Sequence, residues 1–139
     1  MRRTLTSITL AAALAPAPAL AAGPAAGAWK GKIDHQGYEI TFKVKGGRMT
    51  DVAARLLADC DRDGYSETMT LAPSGSFAIK DGRVKAKTED RYDQAVAHYE
   101  LDVRFTGRTA KGMIREYDTV EGSGVVCDTL KRTFTAKRD

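Results

Sequence analysis

The residues best suited to chemistry lie in one short run, Asp59-Cys60-Asp61-Arg62-Asp63-Gly64. Carboxylates at alternate positions followed by a glycine turn several oxygens toward one point, as in the first half of a calcium loop. The second half differs. The twelfth position is Thr70 instead of a bidentate glutamate, and neither flank reads as a helix, so an EF-hand is excluded. Loops of this D-x-D-x-D-G kind also join strands, and a bond between Cys60 and Cys127 would carry Asp128 to the loop's edge. Asp59, Asp61, Asp63 and Asp128 are therefore the candidate metal ligands, with calcium as the ion. The competing reading is a solvated acidic turn, in which Asp and Gly are favoured for their backbone alone.

Other chemistry is thinly supplied. His35 falls in an expected Asp34-His35-Gln36-Gly37 turn and His98 on the polar parity of a strand, so neither reads as a general base. Glu89, Asp90 and Asp93 lie in the charged stretch TEDRYDQ, which reads as a solvated connection; a hydrolase using such loop carboxylates is the enzymatic alternative. Ser123 is not framed as G-x-S-x-G, and no HExxH motif or phosphate-binding glycine loop occurs. No catalytic residue is assigned. Lys43, Lys45, Arg48, Lys80, Arg83, Lys85 and Lys87 form a basic outward parity of the kind that keeps strands soluble and blocks edge pairing.

Residues 1–21 carry Arg2 and Arg3, an uncharged Ala-rich stretch and Ala19-Leu20-Ala21, which reads as a cleaved secretory signal peptide. Residues 22–27 are expected to be a flexible lead-in and 28–139 a single domain, periplasmic or secreted. Removing the two arginines takes the net charge from +4 to +2, so nucleic-acid binding has no support from charge. No apolar run past residue 28 is long enough for a membrane span. Cys60 and Cys127, an even pair in an oxidising compartment, are expected to form a disulfide. Closing a loop of about 68 residues stabilises a fold by roughly 4 kcal/mol on chain-entropy grounds.

Strict alternation dictates the elements that hold these groups. Trp29, Gly31 and Ile33 share one parity, as do Tyr38, Ile40, Phe42 and Val44, and a four-residue turn sets Trp29 opposite Phe42 and Ile33 opposite Tyr38. Gly46-Gly47 and Asp81-Gly82 are two-residue hairpin turns, the second placing Ile79 opposite Val84 and Phe77 opposite Ala86. A third hairpin turns at Gly107-Arg108 and sets Leu101 opposite Ile114. Val52–Ala58 reads as an irregular strand with a bulge. The result is an all-β fold, a single antiparallel β-barrel or β-sandwich of about 8–10 short strands.

The order of Gly27-x-Trp29-x-Gly31, Phe105-Thr-Gly107-Arg-x-Ala110-x-Gly112-x-Ile114-Arg115 and Cys127-Asp128-Thr129…Phe134-Thr-Ala136-Lys137-Arg138 resembles a group of small secreted bacterial β-domains without an established activity. Leu130 and Phe134 stand where that group often has Gly and Trp. The resemblance implies the fold and the disulfide. The expected function is an exported, monomeric, non-enzymatic binding or interaction module with an envelope or extracellular partner, its surface near Cys60 and Cys127; a calcium-stabilised module is the alternative.

Overall fold

The computed structural model describes residues 23–61 and 64–139; the expected signal peptide at 1–21 and the candidate ligand Asp63 lie outside the described residues. Ten antiparallel strands form one sheet: β1 (Gly27–Ile33), β2 (Glu39–Lys45), β3 (Arg48–Cys60), β4 (Tyr65–Leu71), β5 (Ser76–Ala78), β6 (Arg83–Tyr92), β7 (Ala95–Thr106), β8 (Thr109–Val120), β9 (Gly124–Asp128) and β10 (Arg132–Arg138). The expected registers form where alternation and a tight turn agree: Trp29 faces Phe42, and Leu101 faces Ile114.

The wall changes width along its length. At one end the order is β5-β3-β2-β1-β10-β8-β7-β6, eight strands. Beyond the β1–β2 turn, β9 lies between β3 and β8, leaving six strands in the order β4-β3-β9-β8-β7-β6. β9 and β10 are two parts of one long path along the same edge of β8, kinked at Leu130, whose φ is 56°. The Cys60–Cys127 disulfide, between residues facing each other across β3 and β9, staples the wall where the β1–β2 hairpin ends.

Apolar side chains of one parity fill the interior. Trp29 stacks on Phe42 with centroids 5.7 Å apart, and Phe105 meets both rings edge-on at 5.3 and 6.0 Å. Such pairs add about 0.5–1.5 kcal/mol each beyond burial. Phe134 lies across Gly112, where a Cβ would come within 2.8 Å of the Phe134 ring and of the Asp102 carbonyl oxygen.

Two local expectations are corrected. The Asp81-Gly82 turn forms, with both φ angles positive, but the hairpin stops at a single Lys80–Arg83 bridge. Phe77 pairs with Met49 on β3, and Ala86 with Leu101 on β7, because the free edge of β3 takes the short β5. TEDRYDQ is not a loop: β6 runs to Tyr92 and turns at Asp93-Gln94 onto Ala95. Before β1, Ala25 packs on the core and its carbonyl accepts a 3.0 Å bond from Trp29 Nε1, while the Ala26 carbonyl accepts one from Arg138. The bulge in β3 falls at Asp51, φ 51°, where the pairing with β2 slips and the buried parity passes from Met49 to Val52, Ala54 and Leu56.

Candidate functional site

The acidic run sits at the six-stranded end. Asp59 lies directly across from Asp128, but both occupy the outward parity. Asp128 is already partnered: Arg115 donates to its two oxygens at 3.0 and 2.6 Å, and the Leu130 amide donates at 2.7 Å. The Arg115 hydrogen bonds are the main force holding the Asp128 carboxyl below its ordinary range. Asp59 accepts a 3.3 Å bond from the Ser66 hydroxyl, and the Asp61 amide donates to the Val126 carbonyl. Asp59, Asp61 and Asp128 are thus brought to one region of the wall, but among the described residues they do not converge as a ligand set.

Arg115 belongs to a charge row across the outer face. Lys87 on β6, Glu100 on β7, Arg115 on β8 and Asp128 on β9 alternate in sign, with contacts of 3.4, 3.7 and 2.6 Å. Beside it, His98 stacks on Tyr117 at 4.6 Å and lies 2.9 Å from the Thr119 hydroxyl and 3.6 Å from Glu89. Much of the basic parity is similarly paired: Lys43 with Asp51, Arg83 with Asp102, and Arg48 with Ser76. Trp29, at 1% exposure, is core.

The inner face of the same end holds a different group. Counting from the apolar core toward the open end, the paired inward residues of β8, β7 and β6 run Ile114–Leu101–Ala86, then Glu116–Tyr99–Thr88, then Asp118–Ala97–Asp90, then Val120–Ala95–Tyr92. Cys127 is the neighbour of Asp118 on β9, and Ala58 faces Glu67 on β4. Alternation therefore places Glu67, Asp90, Glu116 and Asp118 on the inward parity, in layers between the core and the open end. Glu89 and Asp90, adjacent in sequence, fall on opposite faces of the wall.

Glu116 is only 4% exposed, and its Oε2 has no hydrogen-bond partner; Asp118 Oδ1 is buried and unpartnered as well. Neither belongs to an ion pair among the described residues. Burial first, and then the neighbouring Asp118 and Asp90 carboxylates, push the Glu116 carboxyl up to about 8. Burial and then Glu67 raise Asp118, with His98 acting in the opposite direction. Burial and a hydrogen bond with Tyr92 raise the Tyr99 hydroxyl. Asp90 is held by the amide and hydroxyl of Ser74, a side-chain link across the seam between β4 and β6, which share no backbone pairing among the described residues.

Outside this inner group lies a cleft of about 480 Å³ lined by Cys60, Tyr65, Glu67, Val120, Val125 and Cys127, among others. Tyr65 and Val125 are exposed at 59% and 45%, an apolar surface beside the carboxylate of Glu67. Glu67 joins the two regions, since it lines the cleft and acts on Asp118. Cys60, Cys127 and Glu67 also bring ligand-type atoms within 4.8 Å of one another, but the sulfurs are bonded to each other and do not act as thiolates.

Glu116 and Asp118 escape motif reading because charged residues in alternating strands are assigned outward by default. The register was the available signal: extending Leu101–Ile114 by two residues sets Glu116 opposite Tyr99, on the apolar parity. No protein-family model, curated protein or solved structure matches the chain.

Proposed function

We propose that this chain is an exported, non-enzymatic binding or interaction module of the cell envelope or secretome, with its ligand seated in the acidic inner face of the six-stranded end. The observation that carries the reading is the buried, unpartnered Glu116 carboxylate beside the unpartnered Asp118, behind a cleft with exposed aromatic and apolar residues. An unsatisfied buried acceptor costs about 1–3 kcal/mol, a cost that a ligand donor removes. A few polar groups at the base of an otherwise apolar concavity are the usual make-up of a ligand site. The leader sequence and the disulfide support export. The likeness to small secreted bacterial β-domains supports export as well.

The test uses the full chain expressed with its leader and purified oxidised. Its thermal melt is followed against a library of small cations, amines, sugars and peptides. A binding module gives a stabilising shift that Glu116→Gln and Asp118→Asn remove, with no ligand consumed. A library that produces no shift, or shifts indifferent to both substitutions, contradicts the reading.

A further inference from the structure

Resting on that reading of the site, we infer that the ligand is a primary ammonium carried on an aliphatic chain, of the class of the aliphatic diamines. Glu67, Asp90, Glu116 and Asp118 share the inward parity, and the charges that act to raise Glu116 and Asp118 are other carboxylates. A ligand complementary to this group is a cation with hydrogen-bond donors, one each for Glu116 Oε2 and Asp118 Oδ1.

Size decides which cation. Calcium draws its oxygens to about 2.3–2.6 Å, so three or more ligand atoms must come within roughly 5 Å of one another. Among the described residues, the one group of three that meets a 4.8 Å limit is Cys60, Glu67 and Cys127, which includes neither Glu116 nor Asp118. Calcium needs six or more oxygens, whereas an ammonium bonding at about 2.8–3.0 Å is served by as few as two acceptors, the number that Glu116 and Asp118 leave unpartnered. Above the acids, the layer of Val120, Ala95 and Tyr92 and the exposed Tyr65 and Val125 suit a methylene chain. Glu67, on the cleft side, offers a carboxylate to a second ammonium at the far end of that chain.

The probes are 1,4-diaminobutane, n-butylamine and calcium chloride, titrated calorimetrically into the oxidised full chain at pH 7 in two buffers of different ionisation enthalpy. Diaminobutane is expected to bind with release of a proton, seen as a buffer-dependent heat, and Glu116→Gln is expected to weaken it at least ten-fold and abolish that release. Glu67→Gln is expected to weaken diaminobutane several-fold more than it weakens butylamine. Circular dichroism and the melt of each variant establish that it folds; if Glu116→Gln does not fold, Asp118→Asn serves with the same expectation. Calcium heat that depends on Glu116, or the absence of heat from both amines in the wild-type chain, overturns the ammonium assignment. If amines fail while other library members still give shifts that Glu116→Gln removes, the ligand class is wrong and the site stands; if no shift depends on Glu116, the site itself is wrong.

Discussion

The substitution Glu116→Gln should remove most of the fall in stability with pH over a defined window. In the unfolded chain this carboxyl titrates near 4.5, and in the folded chain burial, Asp118 and Asp90 move it to about 8. Between those values the folded state holds a proton that the unfolded state has lost, so stability must fall as pH rises. The contribution is intact below 4.5, declines by about 1.4 kcal/mol per pH unit, and is fully lost above 8. Across the window this amounts to roughly 5 kcal/mol, a large part of a small domain's total. Glutamine is nearly isosteric with glutamate and carries no charge at any pH. The variant should therefore be within about 1 kcal/mol of wild type at pH 4.5 and several kcal/mol more stable at pH 8. Asp128 works with the opposite sign. Arg115 holds its folded-state carboxyl below 3.8, so its stabilisation is present above 3.8 and disappears as pH falls further. Wild-type stability should peak between these two effects, near the unfolded-state range of the carboxyls. Urea unfolding of both proteins at pH 4.5, 6 and 8 measures this directly. A wild-type stability that is level from pH 5 to 8, with the variant parallel to it, would refute the burial argument.

Three further outcomes follow from the wall. Replacing Cys60 and Cys127 together by serine should lower stability by about 4 kcal/mol, read from the denaturant midpoint, because the staple closes a long loop where the β1–β2 hairpin ends. Arg115→Ala should cost about 1–3 kcal/mol and return the Asp128 carboxyl toward its ordinary range by NMR titration, with lysine rescuing only part because it lacks the two-pronged donor. Gly112→Ala should cost about 1–3 kcal/mol by overpacking, because its Cβ meets the Asp102 carbonyl oxygen as well as the Phe134 ring.

The fold was legible where two local signals agreed. Trp29–Phe42 and Leu101–Ile114 each combine alternating apolar residues with a short turn, and a slip of one residue would turn every side chain to the wrong face. Asp81-Gly82 had the turn signal alone. Its backbone adopts the expected conformation, but which strand receives Phe77 depends on the free edge of β3, a long-range choice that no local pattern records. The disulfide and the bulge in β3 were legible for similar reasons, one from cysteine arithmetic and the other from the broken alternation around Val52. The candidate site was harder. Asp59 and Asp128 do come together, but on the outward face, where Arg115 takes the second carboxylate. Glu116 and Asp118 required the register to be carried past the apolar core, against the ordinary expectation that acids face water.

Glu116 is the buried carboxyl that a cationic ligand would ionise. The direct measurement is the carbon-13 carboxyl shift of Glu116, followed from pH 4 to 10 in the oxidised protein with and without 1,4-diaminobutane. The prediction is a midpoint near 8 that falls when the amine is added. A midpoint in the ordinary glutamate range, unmoved by the amine, would contradict both the burial and the site built on it.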